Sequence, residues 1–179
     1  IWDWRKLPGV TAYEDGNLVP LSAVTDIREG RLYVSNDTEA VSGYASDDCL
    51  VTALDLRRDG MSGKKVVVCF EDCVVAIGAG LGCSLSGVSQ LTTALDQTHY
   101  FGGEKMGSNW AYHNDRGYVT LDGASLCLST EIQHGNWYDI DNTLPAKQDS
   151  GRVFKLWVQH DVLSADNSYA YVILPYASA

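Results

Sequence analysis

No stretch of this sequence approaches the roughly 18 consecutive apolar residues that a membrane-spanning helix needs. Its first residues lack the basic start and apolar run of a signal peptide, so any targeting segment is expected to lie outside the chain. Cations are scarce as well: 13 Lys and Arg stand against 23 Asp and Glu, a formal net charge of -10. That deficit argues against a nucleic-acid partner, whose phosphates are met by Lys and Arg. A polyanionic ligand meets the same repulsion from this chain. No membrane partner is expected either.

Metal and nucleophile patterns are missing too. The five cysteines, Cys49, Cys69, Cys73, Cys83 and Cys127, form no paired Cys-x-x-Cys arrangement that would hold zinc. Cys69 sits in the apolar run from Val66 to Phe70, and Cys127 lies between Leu126 and Leu128, so both read as small buried apolar residues. A disulfide stays open but unassigned. The four histidines, His99, His113, His134 and His160, make no His-x-His or His-Glu-x-x-His cluster. Asp47-Asp48, Glu71-Asp72 and the Asp139/Asp141 pair lack the spacing of an EF-hand and read as solvated turn carboxylates. No Gly-x-Ser-x-Gly elbow occurs, and Gly82 to Gly87 has the wrong spacing for one. No metal, no cofactor and no catalytic residue is assigned.

What is present favours strands. There are 10 Tyr, 5 Trp and 17 Gly but only 4 Pro, with abundant Val and Thr, which suits pleated, half-buried strands better than long helices. A chain of 179 residues can bury one sizeable core, and no repeat, low-complexity tract or linker divides it. One all-β domain over 1–179 is expected, an antiparallel multi-stranded β-sandwich. Short apolar or alternating runs predict strands near 31–35, 40–46, 50–57, 64–70, 73–79, 88–95, 117–121, 125–130, 152–160 and 169–174. Turns are expected at Asp59-Gly60, Gly102-Gly103, Asp122-Gly123 and Asp149-Ser150-Gly151. The clearest hairpin is 117–130, where Asp122-Gly123 suits a type I′ turn. The stretch 98–107 reads as a long surface loop.

Aromatic rings can stack on sugars, although they also dominate cores. Trp157, within an alternating run, reads as core. Trp2, Trp4, Trp110 and Trp137 lie in loops or at element ends and are the candidate glycan contacts, with Arg5 beside the first two. His113 joins them because Trp110-Ala111-Tyr112-His113 gathers aromatic and imidazole groups in an expected loop. Two Trp in the first four residues, and a stop five residues beyond the strand ending at Leu174, lead to the expectation that both ends are cuts from a longer chain.

Several stretches, in order, resemble polysaccharide lyase family 8. Trp2-Asp3-Trp4-Arg5-Lys6-Leu7-Pro8-Gly9-Val10-Thr11 is similar to the Trp-x-x-(Leu/Ile)-Pro-Gly-Thr-Thr segment that begins the family's β-region. Asp59 to Lys65, Phe70-Glu71-Asp72 and Val75 to Gly80 look like the next family segment, and Thr92-Thr93-Ala94-Leu95-Asp96-Gln97 stands where the family carries Thr-Thr-x-x-Glu-(Asn/Gln). His113 with Gly117-Tyr118, Gly135-Asn136-Trp137 with Ile140-Asp141, and His160-Asp161 leading to Tyr169-Ala170-Tyr171-Val172-Ile173-Leu174-Pro175 complete the resemblance. Ser62-Gly63, Val67, Val68 and Asp161 depart from the pattern and put the substrate choice in doubt.

The resemblance implies a galactose-mutarotase-like super-sandwich, the central domain of an enzyme that cleaves hyaluronan, chondroitin or xanthan by β-elimination beside a uronic acid. The family's Asn, His, Tyr and Arg catalysts lie on an upstream helical toroid that this chain does not contain. The implied partners are an acidic polysaccharide substrate and that N-terminal helical domain, with a C-terminal β domain also missing here. The implied location is secreted or periplasmic. The competing reading is a stand-alone, non-catalytic carbohydrate-binding sandwich, which needs only an aromatic platform; a purely structural module is the third.

Overall fold

The structure is a computed structural model that describes residues 1–14, 26–28, 31–33, 40–58, 60–88, 90–140, 143–164 and 166–178. After a 3₁₀ turn, Trp4–Lys6, come β1 (Thr11–Glu14), β2 (Asp26–Arg28), β3 (Arg31–Tyr33), β4 (Val41–Ala45), β5 (Leu50–Arg58), β6 (Met61–Cys69), β7 (Val74–Cys83) and β8 (Gln90–His99). There follow β9 (Lys105–Met106), β10 (Trp110–His113), β11 (Arg116–Thr120), β12 (Leu126–Ser129), β13 (Ile132–Asn136), one helical turn α1 (Trp137–Ile140), β14 (Gln148–His160) and β15 (Asn167–Pro175). One sheet runs β1-β8-β14-β12, with β13 also on β14; the other runs β4-β5-β6-β7-β15-β11-β10-β9; β2 and β3 pair separately. All pairings are antiparallel. The expected all-β sandwich is the observed class.

The two larger sheets face each other through residues set at period two. On β6, Met61, Gly63 and Lys65 are buried while Ser62 and Lys64 are exposed. Tyr118, Tyr169 and Tyr171 of the eight-stranded sheet join Leu91, Leu95, Phe154 and Leu156 of the five-stranded one in a single core. Phe154 is the centre of this packing, with the His113 ring stacked on it at 4.1 Å. Truncating a buried Phe of this kind costs about 3–5 kcal/mol.

Strand β8 is buried without a break from Leu91 to Gln97, because it is covered on both faces. Thr93 turns inward, its hydroxyl 2.8 Å from His160 Nε2 and 2.8 Å from Thr11 Oγ1. Thr92 turns outward to accept from Lys6 Nζ at 2.7 Å. A bulge then reverses the phase: Trp157 pairs with Ala94 but Leu156 with Asp96, which leaves Leu95 as the extra residue. A bulge re-aims the side chains beyond it. Asp96 therefore turns inward and Gln97 outward.

Several expectations are corrected. Segment 117–130 is not a hairpin: β11 pairs with β10 and β15, whereas β12 pairs with β14 in the other sheet. Asp122 Oδ1 accepts from Ala124 N at 3.1 Å, and Thr120 Oγ1 donates to Ala124 O at 2.7 Å, so the Asp-Gly pair shapes a crossing between layers. A two-residue hairpin turn with positive φ at both central residues is found instead at Asn114-Asp115, at 49° and 60°, between β10 and β11. Asp149-Ser150-Gly151 lies inside β14 and is no turn; a Cβ on Gly151 would come within 3.1 Å of Ile1 Cδ1, so this glycine answers a close approach. Residues 98–107 are not all loop, since β8 runs to His99 and β9 occupies Lys105–Met106. The expected turns at Gly60 and at Gly102-Gly103 hold, with φ of 75°, 80° and 73°. Positions 34–35 of the expected first strand, together with Asp59 and Asp141, lie outside the described residues.

The outer face of the eight-stranded sheet carries one unbroken cross-strand line. Tyr44 pairs with Val51, Val51 with Val68, and Val68 with Val75. The line continues through Val172 and Val119 to Trp110.

Candidate functional site

The N-terminal segment is built to lie flat on the outer face of the five-stranded sheet. Asp3, in an extended conformation, caps the 3₁₀ turn by accepting from Arg5 N at 3.1 Å. Pro8 then disfavours helical backbone at Leu7, which takes φ −64° and ψ 147° and ends the turn. Three fastenings hold the segment down. Asp3 N donates to Gln97 Oε1 at 2.9 Å while Gln97 Nε2 donates to Asp3 O at 2.8 Å. Lys6 Nζ donates to Thr92 and to Glu14. Gly9 N donates to Ala94 O, and Ala94 N to Val10 O, each at 2.9 Å.

Three of the candidate residues ride on this segment. The Trp2 ring meets His99 at 5.1 Å and a 60° tilt. Trp4 is half-buried. The Arg5 guanidinium stands 4.7 Å from the Tyr13 ring centroid. Ile1 lies over Gly135, where a Cβ would come within 2.7 Å of the Ile1 nitrogen. That places the start of the segment two residues from Trp137, which is 46% exposed on α1.

Trp110 and His113 do not join this group or each other. Residues 110–113 form strand β10, so alternation sends Trp110 and Tyr112 to the outside and Ala111 and His113 to the core. Trp110 packs over Gly107, whose glycine makes room for the indole nitrogen. His113 is fully buried, and its Nε2 accepts from Phe101 N at 3.3 Å. Its Nδ1 then carries the proton and has no partner among the described residues. Burial pushes this imidazole below its ordinary pKa. Trp157, expected in the core, is half-buried on the outer layer beneath Lys6, whose Nζ is 5.2 Å from its ring. Cys69 and Cys127 are likewise half-buried, and all five cysteines are free thiols.

The polar cluster that sequence reasoning passed over is Asp96, Tyr118 and Arg116. Tyr118, 1% exposed, donates its hydroxyl across the sandwich to Asp96, 6% exposed, and Arg116 Nη1 lies 3.4 Å from the same carboxylate. Burial first, and the Asp96 charge second, push the Tyr118 hydroxyl far above its ordinary pKa, so it stays a donor. An Asp-Gln pair closing an otherwise apolar and Thr-rich strand was the visible signal. Lys6 and Lys65 are both lowered to about 8 by burial, with Asp3 opposing the shift at Lys6. Lys65 Nζ donates to the Gly9 carbonyl. His160 is lowered to about 4 by burial. Each of these displaced groups is buried and held by a structural partner. Among the described residues no group of three or more His, Cys, Asp or Glu is placed to hold a metal ion.

The arrangement is thus a braced sandwich with half-buried rings along one strap. Known proteins share it. The family model described as "Polysaccharide lyase family 8, super-sandwich domain" matches residues 1–179. The chondroitinase-AC of Pedobacter heparinus is 30% identical over 192 residues, covering 98% of this chain and 26% of the relative. The hyaluronate lyase of Thermasporomyces composti is 27% identical over 165 residues, covering 79% of this chain and 21% of the relative. A chondroitinase AC lyase solved in complexes with oligosaccharides superposes with a TM-score of 0.82 at 29% identity, covering 99% of this chain and 27% of that one. The chain therefore spans about a quarter of the length of these relatives, and it belongs to polysaccharide lyase family 8, as its super-sandwich domain.

Proposed function

We propose that this chain is the central β-sandwich of a lyase that cleaves uronic-acid-containing polysaccharides of the hyaluronan, chondroitin or xanthan type by β-elimination. The observation that carries the reading is the family match over all of 1–179, joined to relatives that act in the same class and are some four times longer. Elimination needs the sugar carboxylate neutralised, the C5 proton taken by a base, and the departing O4 protonated by an acid. Lys6, Lys65, Tyr118 and His160 are buried and committed to structural partners, and the charge of -10 repels a polyanion. The catalytic groups then belong to a helical partner domain, and this sandwich braces that domain and walls one side of the cleft. Trp2, Trp4, Arg5 and Trp137, gathered at the strap, are the proposed glycan contacts. A polymeric substrate of this kind places the enzyme outside the cytoplasm, secreted or periplasmic.

The test incubates the chain, alone and joined to the helical domain, with hyaluronan, chondroitin and xanthan-type polymers and follows the unsaturated product in the ultraviolet. Product is expected only from the joined form. Product from 1–179 alone would refute the division of labour. Tight glycan binding with no product in either form would support a stand-alone carbohydrate-binding module instead.

A further inference from the structure

The β10–β11 hairpin turns four side chains toward the five-stranded sheet. Ala111 pairs with Tyr118 and His113 with Arg116, and directly paired residues project from one face. Ala111, His113 and Tyr118 are all buried there. Asp96 of β8 meets this face from the other sheet. Tyr118 and Arg116 both donate to one oxygen of its carboxylate, Oδ2. Asp96 is thereby held over the hairpin, with His113 directly beside Arg116 and diagonal to Tyr118. The Phe154 ring packs on both neighbours, stacked on His113 at 4.1 Å and meeting Tyr118 at 6.3 Å. Burial is the main influence on the His113 imidazole, and among the surrounding charges Asp96 comes first, ahead of Glu104 and Arg116.

This group contains a donor and an acceptor that no direct bond joins. Phe101 N donates to His113 Nε2 at 3.3 Å, so Nδ1 is the nitrogen that carries the proton. That N–H is fully buried and has no partner among the described residues. Native interiors rarely keep such a donor unpaired, because it loses its hydration with nothing in return. On the other side, both bonds that hold the Asp96 carboxylate fall on Oδ2 and leave Oδ1 to accept. The chemistry selects what joins the two. A cation is turned away by the Nδ1 proton and by Arg116, and an anion by Asp96. A small neutral group that both accepts and donates fits, and water is that group. Arg116, with Nη1 engaged, has further N–H groups to offer as a third partner. Glu104 is the less suited acceptor, since it is half-buried and already takes the Tyr100 hydroxyl at 2.6 Å.

We propose that His113 and Asp96 form a binding site for one ordered water, which accepts from His113 Nδ1 and donates to Asp96 Oδ1. The water joins the backbone at Phe101, through the imidazole, to the Tyr118–Asp96–Arg116 bridge, so that β8, β10, β11 and the loop after β8 share one hydrogen-bonded unit. It also fixes the imidazole in the one neutral tautomer that can accept from Phe101 N. A crystal structure of the full polypeptide, at a resolution that shows ordered water, tests the site. A peak is expected about 2.7–3.2 Å from both Nδ1 and Oδ1. Asp96→Glu lengthens the carboxylate by one methylene and should set an oxygen where the peak stood, bonded directly to Nδ1, whereas Glu104→Gln should leave the peak in place. Well-ordered His113 and Asp96 with no peak between them overturn the proposal, as does a direct Nδ1 bond to Asp96 in the unsubstituted polypeptide. A peak that survives Asp96→Glu unmoved, or is lost in Glu104→Gln, overturns Asp96 as its holder. Should Asp96→Glu fail to fold, the unsubstituted structure alone decides.

Discussion

Replacing Tyr118 with Phe removes one oxygen from the centre of the sandwich, and the structure sets what that costs. The hydroxyl is the buried donor to Asp96. The other partner of that carboxylate, Arg116, stands 3.4 Å away with its side chain 45% exposed, and an ion pair so open to water contributes little. Phe at 118 keeps the ring packed on Phe154 at 6.3 Å but leaves a buried carboxylate short of a charge-assisted hydrogen bond. The expected loss is about 1.5–3 kcal/mol. For a domain of this length that is a fall in Tm of roughly 4–8 °C.

The same chemistry in water gives the control. Tyr112 OH donates to Asp115 Oδ1 at 3.0 Å on the exposed turn, so Tyr112→Phe should change stability by less than about 0.5 kcal/mol. Urea unfolding of both variants, with Asp96→Asn alone and combined with Tyr118→Phe, isolates the pair. A coupling of at least about 1 kcal/mol is expected between 96 and 118. Tyr118→Phe indistinguishable from Tyr112→Phe would refute the assignment of the bridge.

Other consequences are more direct. Gly78→Ala places a Cβ 2.2 Å from the buried Tyr169 ring and should destabilise by more than about 2 kcal/mol, whereas Gly107→Ala meets Trp110, which can swing outward, and should cost under about 1 kcal/mol; thermal melts compare them. His160 is lowered to about 4 from its ordinary 6.5, so as pH falls from 6.5 to 4 the unfolded chain takes a proton that the folded one refuses. Stability should hold above pH 6.5 and drop by about 2–3 kcal/mol across that window, and His160→Gln should flatten the slope in urea titrations. Gln97→Leu breaks both hydrogen bonds to Asp3 and should expose Arg5 and Lys6 to trypsin at a rate the unsubstituted chain does not show.

The layers were legible in the sequence where strands are long and apolar, and ambiguous where a short segment has two uses. β5 to β8, β14 and β15 announce themselves by runs such as Val66-Val67-Val68 and Tyr169-Ala170-Tyr171-Val172. β10 and β13 are four and five residues long and mix polar with apolar groups, so local pattern gives them no advantage over loop. Asp122-Gly123 serves a crossing as well as a hairpin; what decides is the pairing of β11 with β15 and of β12 with β14, set by partners far along the chain. The candidate residues divide in the same way. Reading 110–113 as loop keeps Trp110 beside His113, while period two on a strand separates them to opposite faces. The family motifs located Asp96-Gln97 without showing that the two side chains point to different layers.

Which layer each of the two meets follows from the bulge at Leu95. Were Leu95 in regular alternation rather than bulged, Asp96 would turn outward, away from Tyr118, and Gln97 inward, away from Asp3. One bulge thus aims both the bridge between the sheets and the clasp on the N-terminal strap, and neither is independent of the other. Loss of the Tyr118 bond frees Asp96 and with it the backbone that presents Gln97. Tyr118→Phe combined with Gln97→Leu should therefore destabilise by less than the sum of the two alone, by at least about 0.5 kcal/mol, since the second change acts on a strand already loosened. A unfolding cycle that closes additively would mean that β8 is held rigid by its neighbours β1 and β14 regardless of either side chain. In that case the strap would be fastened locally, and a disturbance of the inter-sheet bridge would leave Trp2, Trp4 and Arg5 where they are.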